Sequence, residues 1–405
     1  MIPSSKPRVC FLTTSYPDFP GSYRGIFVWR AVHGLIERGY KISVVTPKLF
    51  RKSKGFEDNG DERIYRFPFL SEEKLLVEYD KVPVWRMITY MLSGFFSCAR
   101  IVYRDRCRLI HAHFVVPTGL IAVLVGRWMK MPVLIQAHGS DVTKYAKLNR
   151  WMAWLTAFAS KKADHLIVVS DELAAILTEQ FGIQPDKITV RSCGIDVTHF
   201  RPMPRKQARE QLNLPEKYTI VLFVGSLIRR KGVDILLSAI ARIVAHHSRV
   251  KLIVIGEGPF LKQLEAQALD LAIDKIVHFV GRKSNDELPF WYAAADVFVL
   301  PSLREGTPLA LLEALSCEVP VIVSRAGGMV EVIEDGKNGL LTDVADPVDL
   351  ERKLSLLLAD SDMRQRFKEA ARDTVLSWAD IQVEIDSILD LYRNFGAAAK
   401  HTNKF

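Results

Sequence analysis

Short apolar runs alternate with helical stretches along most of the 405-residue chain, and this alternation limits the fold more than any other feature. The runs have the length of strands and are rich in valine, isoleucine and leucine, as strands buried on both faces are. Strands that alternate with helices favour a parallel sheet covered by helices. The predicted strands are 9–12, 42–45, 109–113, 133–137, 165–170, 188–190, 219–224, 251–255, 276–279, 297–300 and 319–323. The sequence therefore predicts an α/β protein with doubly wound parallel sheets.

The strand and helix pattern begins twice. Residues 9–45 have the order strand, glycine-containing loop, helix and strand, and a similar unit begins at 219–224. Between them, the proline-containing segment 199–205 is typical of a linker. A chain of this length exceeds what one core usually holds, so two domains are expected. The predicted domains are 1–203, completed by a C-terminal helix at about 384–405, and 204–383.

Cysteine usage and the lack of long apolar runs bear on the compartment. The five cysteines are scattered and form no Cys-x-x-Cys pair, so we expect reduced thiols rather than a disulfide framework or a zinc site. No apolar run approaches the roughly 18 residues of a membrane span, and the polar first residues do not resemble a signal peptide. The sequence therefore predicts a cytoplasmic protein.

Positive charge is concentrated in the first half of the chain. Residues 1–200 contain 28 Lys and Arg against 18 Asp and Glu, whereas residues 201–405 contain 27 against 28. Such a field suits an anionic membrane or a phosphorylated acceptor. The sequence has no zinc-finger spacing and no aromatic ribonucleoprotein motif, so nucleic acid is not expected as a partner.

The stretch 301–314, PSLREGTPLALLEA, carries the clearest chemical signal. It follows the apolar strand at 297–300, and Thr307 and Pro308 are expected to open a helix as its cap and first residue. Leu309 then begins the apolar face of that helix. A helix that opens after the carboxyl end of a strand offers backbone N–H groups and a positive dipole end. The sequence therefore predicts a phosphate site at this turn.

Two carboxylates bracket the turn, Glu305 before the helix and Glu313 within it. The catalytic pair of a glycoside hydrolase is about 5 to 10 Å apart, whereas eight helical residues already span about 12 Å. The spacing suits a longer ligand with a pyrophosphate in its middle. Glu313 is the candidate for the ribose hydroxyls, as in dinucleotide folds, and Glu305 for the hydroxyls of a transferred sugar. For either residue alone, a surface glutamate on a sheet-flanking helix is an equally good interpretation.

These features closely resemble the family-4 retaining glycosyltransferases, whose GT-B fold has two Rossmann-like domains facing across a cleft. The resemblance extends from Val9 to about Tyr392, and its strongest part is Glu305, Gly306 and Glu313. Further segments match the family in the same order along the chain. These segments are Gly25, 138–141, 225–232, 256–259, 327–331 and 336–339.

The resemblance implies roles for individual residues. Gly25 looks like a glycine that approaches the donor pyrophosphate, and His138 like a histidine that contacts the donor sugar or the acceptor. Lys231 stands at the lysine position of the phosphate-binding loop, and the implied catalytic residues are Glu305, His138 and Lys231. The implied donor-binding set is Gly25, Ser226, Arg230, Lys231, Arg282, Glu305, Gly306, Thr307, Pro308, Leu309 and Glu313.

Two positions depart from the pattern of the family. Its phosphate-binding loop commonly has an arginine after the glycine, where this chain has Ser226. Arg229 or Arg230 is the candidate to replace that charge, and the sequence does not decide between them. Cys193 stands where the family usually has an asparagine, which affects an expected interdomain contact rather than the chemistry.

A metal-independent reaction is expected, with no cofactor. When the bond between sugar and pyrophosphate breaks, negative charge develops on the leaving phosphate and must be stabilised by a metal or by fixed donors. The Asp360-Ser361-Asp362 pattern lies between predicted helices, so we interpret it as a solvated turn. Lys231 and the helix that opens at Thr307 are the expected donors. No side chain stands out as a covalent nucleophile, which favours a front-face route.

Three histidines have a structural interpretation as well as a functional one. For His138, the alternative to substrate contact is a turn histidine bonded to the backbone. His111 and His113 lie in one predicted strand, and we expect them to point to opposite faces and to be structural.

Residues 144–162 mix basic and aromatic side chains. Trp151, Trp154 and Phe158 recur at helical spacing beside lysines. Such a helix can bind an anionic membrane surface, which would agree with a lipid-linked acceptor and a peripheral position on the inner face of the cell membrane. Packing of the aromatic stripe against the sheet is the more common role and the favoured interpretation here.

The sequence thus predicts a glycosyltransferase that moves a hexosyl group, with retention, from a nucleotide-diphosphate sugar to a hydroxyl of a glycan or lipid-linked acceptor. The expected setting is the synthesis of cell-envelope polysaccharide or glycolipid. Two other classes stay open. A nucleotide-sugar epimerase of similar architecture would convert the donor without an acceptor, and a non-catalytic donor-binding protein would tolerate the altered Ser226 and Cys193.

Overall fold

The computed structural model describes residues 8–19, 22, 24–71, 73, 84–143 and 150–398. The chain forms two compact units, of which the first comprises Met1–Gly194 and Ile381–Phe405 and the second Ile195–Asp380. The sequence prediction placed the division after residue 203 instead. The segment 199–205 lies in the second unit, where Phe200 is buried and its carbonyl accepts a hydrogen bond from Ser316.

The strands give each unit one sheet. They are β1 (Arg8–Thr13), β2 (Lys41–Pro47), β3 (Phe56–Asn59), β4 (Glu62–Phe67), β5 (Leu109–His113), β6 (Val133–Ala137), β7 (His165–Val168), β8 (Ile188–Val190), β9 (Thr219–Val224), β10 (Val250–Ile255), β11 (Val277–Phe279), β12 (Val297–Leu300), β13 (Val321–Ser324) and β14 (Leu340–Thr342). Strands β1 to β8 belong to the first unit and β9 to β14 to the second.

Helices connect most of the strands. They are α1 (Ile26–Glu37), α2 (Val84–Arg104), α3 (Leu120–Met129), α4 (Ser140–Thr143), α5 (Arg150–Lys162), α6 (Asp171–Phe181), α7 (Arg205–Gln211), α8 (Val233–Ile243), α9 (Leu261–Asp270), α10 (Leu288–Ala294), α11 (Leu309–Ser316), α12 (Met329–Val332), α13 (Pro347–Ala359), α14 (Ser361–Trp378) and α15 (Ile381–Ala398). Within the described residues, no helix is long and apolar enough to cross a membrane.

The sheet of the first unit has the order β3-β4-β2-β1-β5-β6-β7-β8. Its neighbouring strands are parallel except for the antiparallel hairpin β3–β4. Residues alternate between the two faces of each strand. On β1, Phe11 joins the core that α1 and α15 cover, whereas Cys10 contacts Cys98 of α2. The row α2, α3 and α5 therefore packs on the face opposite α1 and α15.

The sheet of the second unit has the order β11-β10-β9-β12-β13-β14, with every neighbouring pair parallel. This confirms the predicted doubly wound α/β class. The order reverses between β9 and β12, because the strand that follows β9 along the chain lies on one side of it and β12 on the other. In open parallel sheets, ligands bind outside the carboxyl ends of the strands at such a reversal.

Candidate functional site

Two of the segments that the sequence singled out meet where the strand order of the second unit reverses. The loop after β9 contains 225–232, and the loop after β12 contains 301–308. The backbone N–H of Leu303 donates to the carbonyl of Arg230, with an N···O distance of 2.8 Å. The parallel pairing of β9 and β12 brings both carboxyl ends to one edge. The predicted phosphate-binding loop and the Glu305 turn are therefore neighbours.

Glycines allow these loops to approach each other at backbone distance. Gly232 has φ +68°, and a Cβ there would lie 2.0 Å from the carbonyl oxygen of Pro301. Gly327 has φ +54°, and a Cβ there would lie 1.9 Å from the carbonyl oxygen of Glu305. L-amino acids with a side chain rarely adopt such φ values. The two glycines thus fix the position of the Glu305 turn from both sides.

We expect Gly327→Ala to lower the melting temperature and to displace the Glu305 turn. The new methyl group would overlap the Glu305 carbonyl. The left-handed backbone conformation would by itself cost about 1 kcal/mol or more of folding stability once the residue has a side chain. Gly336→Ala is the matched control, since Gly336 has φ +79° and open space around its Cβ position. Thermal unfolding of both variants checks this, and equal melting temperatures would contradict the close approach.

Glu305 is the buried centre of a cluster of charges in which Arg230 is exposed. Glu305 is only 8% exposed; its Oε1 lies 2.6 Å from Lys231 Nζ, and its Oε2 lies 3.3 Å from an NH of Arg230. Burial by itself raises the pKa of Glu305, but the Lys231 ammonium and the Arg230 guanidinium outweigh burial and hold that pKa below its usual range. Two cations face one carboxylate, so the cluster carries a net positive charge.

The helix that follows the cluster begins at Leu309, one residue later than predicted. Pro308 precedes it in an extended conformation (φ −74°, ψ 123°) and, as a proline, supplies no capping side chain. Pro308 rather than Thr307 therefore occupies the N-cap position. Thr307 Oγ1 lies close to Gly328: a Cβ added at this glycine would be 3.0 Å from the Thr307 hydroxyl oxygen. The Leu311 amide donates to the Pro308 carbonyl at 3.0 Å, whereas the amides of Leu309 and Ala310 precede the first hydrogen bond of the helix, a position that favours an anion.

Glu313 lies one turn into α11 and is buried. The hydroxyl of Tyr292 on α10 donates a hydrogen bond to Glu313 Oε2 at 3.0 Å. Tyr292 was not predicted as a site residue, because nothing in the local pattern of α10 distinguishes a tyrosine that holds a carboxylate from one that only packs.

The remaining predicted donor-binding residues of the second unit lie at the same sheet edge. Ser226 is exposed in the loop after β9. Both candidate arginines are exposed, but Arg230 contacts Glu305 and donates to the carbonyl of Arg304 at 2.7 Å. Arg282 follows β11 next to Gly281, whose carbonyl accepts a bond from the Gly256 amide. Arg230 is thus the arginine that the structure directs at the cluster.

In the first unit, Gly25 holds the loop that follows β1. It has φ +69° and precedes α1, and a Cβ there would lie 2.1 Å from the carbonyl oxygen of Ser15. Arg24 beside it forms an ion pair with the buried Asp18 at 2.6 Å and donates to the carbonyl of Thr14. The sequence predicted that Gly25 approaches a pyrophosphate. In the structure, the close contact of Gly25 is with Ser15 of its own loop.

His111 and His113 point to the same face of β5, so the expectation of opposite faces is wrong. Residues two apart on a strand share a face, and the two rings stack with centroids 4.8 Å apart. His113 Nδ1 lies 3.1 Å from His138 Nε2, and His138 Nδ1 lies 3.5 Å from the Cys193 thiol. Both ring nitrogens of His138 thus have partners inside the first unit.

His138 is uncharged near neutral pH. Burial lowers its pKa to about 3, and the neighbouring His111 contributes in the same direction. Its ring also packs between Phe27 and Phe114, each with a centroid distance of 4.7 Å. His138 is therefore neutral and cannot balance the charge of a phosphate.

The Asp-x-Asp pattern has a structural role. The Asp360 carboxylate caps α14 by accepting a hydrogen bond from the Met363 amide at 2.8 Å. Among the described residues, no group of three His, Cys, Asp or Glu side chains is arranged to hold a metal ion.

Comparisons with known proteins give a consistent family. A model described as Glycosyltransferase Family 4 matches residues 25–199, and one described as Glycosyl transferases group 1 matches residues 204–374. A D-inositol 3-phosphate glycosyltransferase of Corynebacterium kroppenstedtii is 30% identical over 315 residues, 73% of this chain and 69% of that protein. An N-acetyl-alpha-D-glucosaminyl L-malate synthase of Bacillus anthracis is 27% identical over 368 residues, 89% of this chain and 91% of that protein.

Solved structures share the fold. Sucrose-phosphate synthase from Thermosynechococcus elongatus superposes with a TM-score of 0.82 at 23% identity, covering 97% of this chain and 100% of that chain. Anabaena HepE in complex with UDP-glucose gives a TM-score of 0.75 at 18% identity, covering 95% of this chain and 100% of that chain. At these identities the likeness concerns the fold.

Proposed function

Because this chain belongs to the family-4 glycosyltransferases with the GT-B fold, we propose that it transfers a hexosyl group from a nucleotide-diphosphate sugar to an acceptor hydroxyl with retention of configuration. One observation carries the proposal. The buried Glu305 holds Lys231 and Arg230 where the strand order reverses, directly before the start of α11. This arrangement suits an anion with a sugar attached.

The cluster and the helix act together on the leaving group. When the anomeric carbon–oxygen bond breaks, the departing diphosphate gains negative charge, and Lys231, Arg230 and the first amides of α11 stabilise it. The ion pairs with Glu305 order both cations before the donor arrives, which reduces the reorganisation needed during the reaction. No metal ion is required in this account.

The carboxylates of Glu305 and Glu313 bind the two ends of the donor. Glu305 accepts hydrogen bonds from hydroxyls of the transferred sugar, and Glu313, held by Tyr292, accepts the ribose hydroxyls. Gly306, Thr307, Pro308 and Leu309 form the backbone between them. In the first unit we keep Gly25 and His138 as candidates for substrate contact. His138 acts there as a neutral hydrogen-bond partner.

The proposed acceptor carries a hydroxyl group. A glycan or lipid-linked hydroxyl in cell-envelope synthesis suits the basic first half. Two relatives are named for inositol 3-phosphate and for malate, so small anionic molecules are a further class of acceptor. The positive charge of the first half of the chain would attract them. The proposal also places the enzyme in a reducing compartment such as the cytoplasm, because all five cysteines are free and buried.

A panel of nucleotide sugars tests the function, beginning with UDP-glucose, the donor named in the HepE complex. The expected result is that one donor raises the melting temperature, and that glycoside product with the donor's anomeric configuration forms only when an acceptor is added. The rate should be unchanged by a chelator. Conversion of the donor without an acceptor would indicate an epimerase, and binding without any turnover would indicate a non-catalytic protein; either result overturns the proposal.

A further inference from the structure

The outward face of α2 in the first unit is apolar, although it faces solvent. Ile88, Leu92 and Phe96 lie at helical spacing and are 52%, 55% and 64% exposed. The opposite side of α2 packs on the sheet and on α3, where Gly94 lies against Ile121. A helix that already packs on a sheet normally presents polar residues outward, so this stripe needs a partner.

The stripe continues onto the neighbouring helices of the same row. Trp128 of α3 is 67% exposed and stacks on Phe95 of α2, with centroids 5.8 Å apart. On α5, which packs beside α3, Trp151 and Trp154 are exposed. The favoured expectation that these tryptophans pack against the sheet is therefore wrong. Residues 144–149 of the segment analysed in the sequence lie outside the described residues.

These three helices carry positive charge only. Together α2, α3 and α5 contain seven basic residues and no Asp or Glu. The basic residues are Arg86, Arg100, Arg104, Arg127, Arg150, Lys161 and Lys162. All except Arg86 are exposed. The apolar stripe and the basic side chains thus occupy the same row of helices.

We propose that this surface, defined by Ile88, Leu92, Phe96, Trp128 and Trp154 with the surrounding basic residues, lies on an anionic lipid bilayer. Tryptophan and phenylalanine enter the headgroup region while arginine and lysine contact the anionic headgroups. A second copy of the chain fits less well. Two such surfaces face to face would bring cations together, and the three helices hold no carboxylate to pair them. The inference goes beyond the proposed function and does not depend on it.

Vesicle flotation of the full chain tests the surface. Wild-type protein is expected to float with vesicles of phosphatidylcholine and phosphatidylglycerol, and far less with phosphatidylcholine alone. The double variant Leu92→Glu, Phe96→Glu should lose about tenfold or more of this binding. The matched control is Leu269→Glu, Leu356→Glu, which places two carboxylates at exposed leucines on α9 and α13 of the second unit.

Further arms separate the alternatives. Arg100→Glu, Arg127→Glu should weaken flotation with anionic vesicles, and added salt should do the same. Melting temperatures near that of wild type are expected for all variants, since every replaced side chain is exposed. Negligible flotation of wild type with both vesicle types would overturn the proposal. So would unchanged flotation of the α2 variant, or a wild-type dimer in light scattering that the α2 variant dissociates.

Discussion

Replacing Lys231 with alanine is expected to lower kcat by about 10²-fold, which corresponds to about 3 kcal/mol of transition-state stabilisation. Lys231 Nζ lies 2.6 Å from Glu305 and its side chain is largely buried, so water will not replace the lost charge well. The measurement is the release of nucleoside diphosphate at saturating donor, with the nucleotide sugar that the panel identifies.

Arg229→Ala is the control for the loss of a cation from the same turn. Arg229 is exposed next to Arg230, so its loss should change kcat by no more than a few-fold. The Lys231 variant also leaves the buried Glu305 with one cation fewer, which lowers stability. Rates are therefore compared well below the melting temperature of each variant. A kcat within a few-fold of wild type for Lys231→Ala would refute charge stabilisation by this residue.

Glu305→Gln is expected to reduce kcat/KM by about 10²-fold while leaving the affinity for a nucleoside diphosphate unchanged or higher. A hydrogen bond to a charged group contributes about 1.5 to 3 kcal/mol, and the amide is a weaker acceptor for sugar hydroxyls than the carboxylate. At the same time the variant removes the partner of Lys231, which leaves more positive charge for the diphosphate. Steady-state kinetics and calorimetry with UDP measure the two effects.

Glu257→Gln is the matched control, because Glu257 is an exposed glutamate in the loop after β10 of the same unit. It should behave like wild type in both measurements. If Glu305→Gln instead weakened the binding of the nucleoside diphosphate and of the nucleotide sugar equally, Glu305 would act on the phosphates or on the loop structure. It would then have no separate role toward the sugar.

The fold was largely predictable because its signal is local. Buried parallel strands appear as short apolar runs, and the predicted runs at 109–113, 133–137 and 297–300 coincide with β5, β6 and β12. The hairpin β3–β4 was not predicted. Its outer strand β3 is exposed and polar, so it lacks the apolar run on which the prediction depends, and its place is fixed by hydrogen bonds to β4.

The candidate site was predictable in its residues but less so in its contacts. The Glu305 turn and the Lys231 loop are separated by about 70 residues of sequence, and only the strand order places them side by side. The choice of Arg230 over Arg229 and the bond from Tyr292 to Glu313 depend on packing that no local pattern encodes. The three-histidine cluster required the pairing of β5 with β6.

Amide hydrogen exchange with and without UDP tests the central claim, that a diphosphate lies over the start of α11 in the second unit. The account predicts slower exchange in peptides that contain Gly306, Thr307 and Leu309, and in the loop 225–232. The hairpin β3–β4 should be unchanged, and Lys231→Ala should lose most of the protection. Binding of UDP that leaves exchange at 306–309 unaltered would contradict the account.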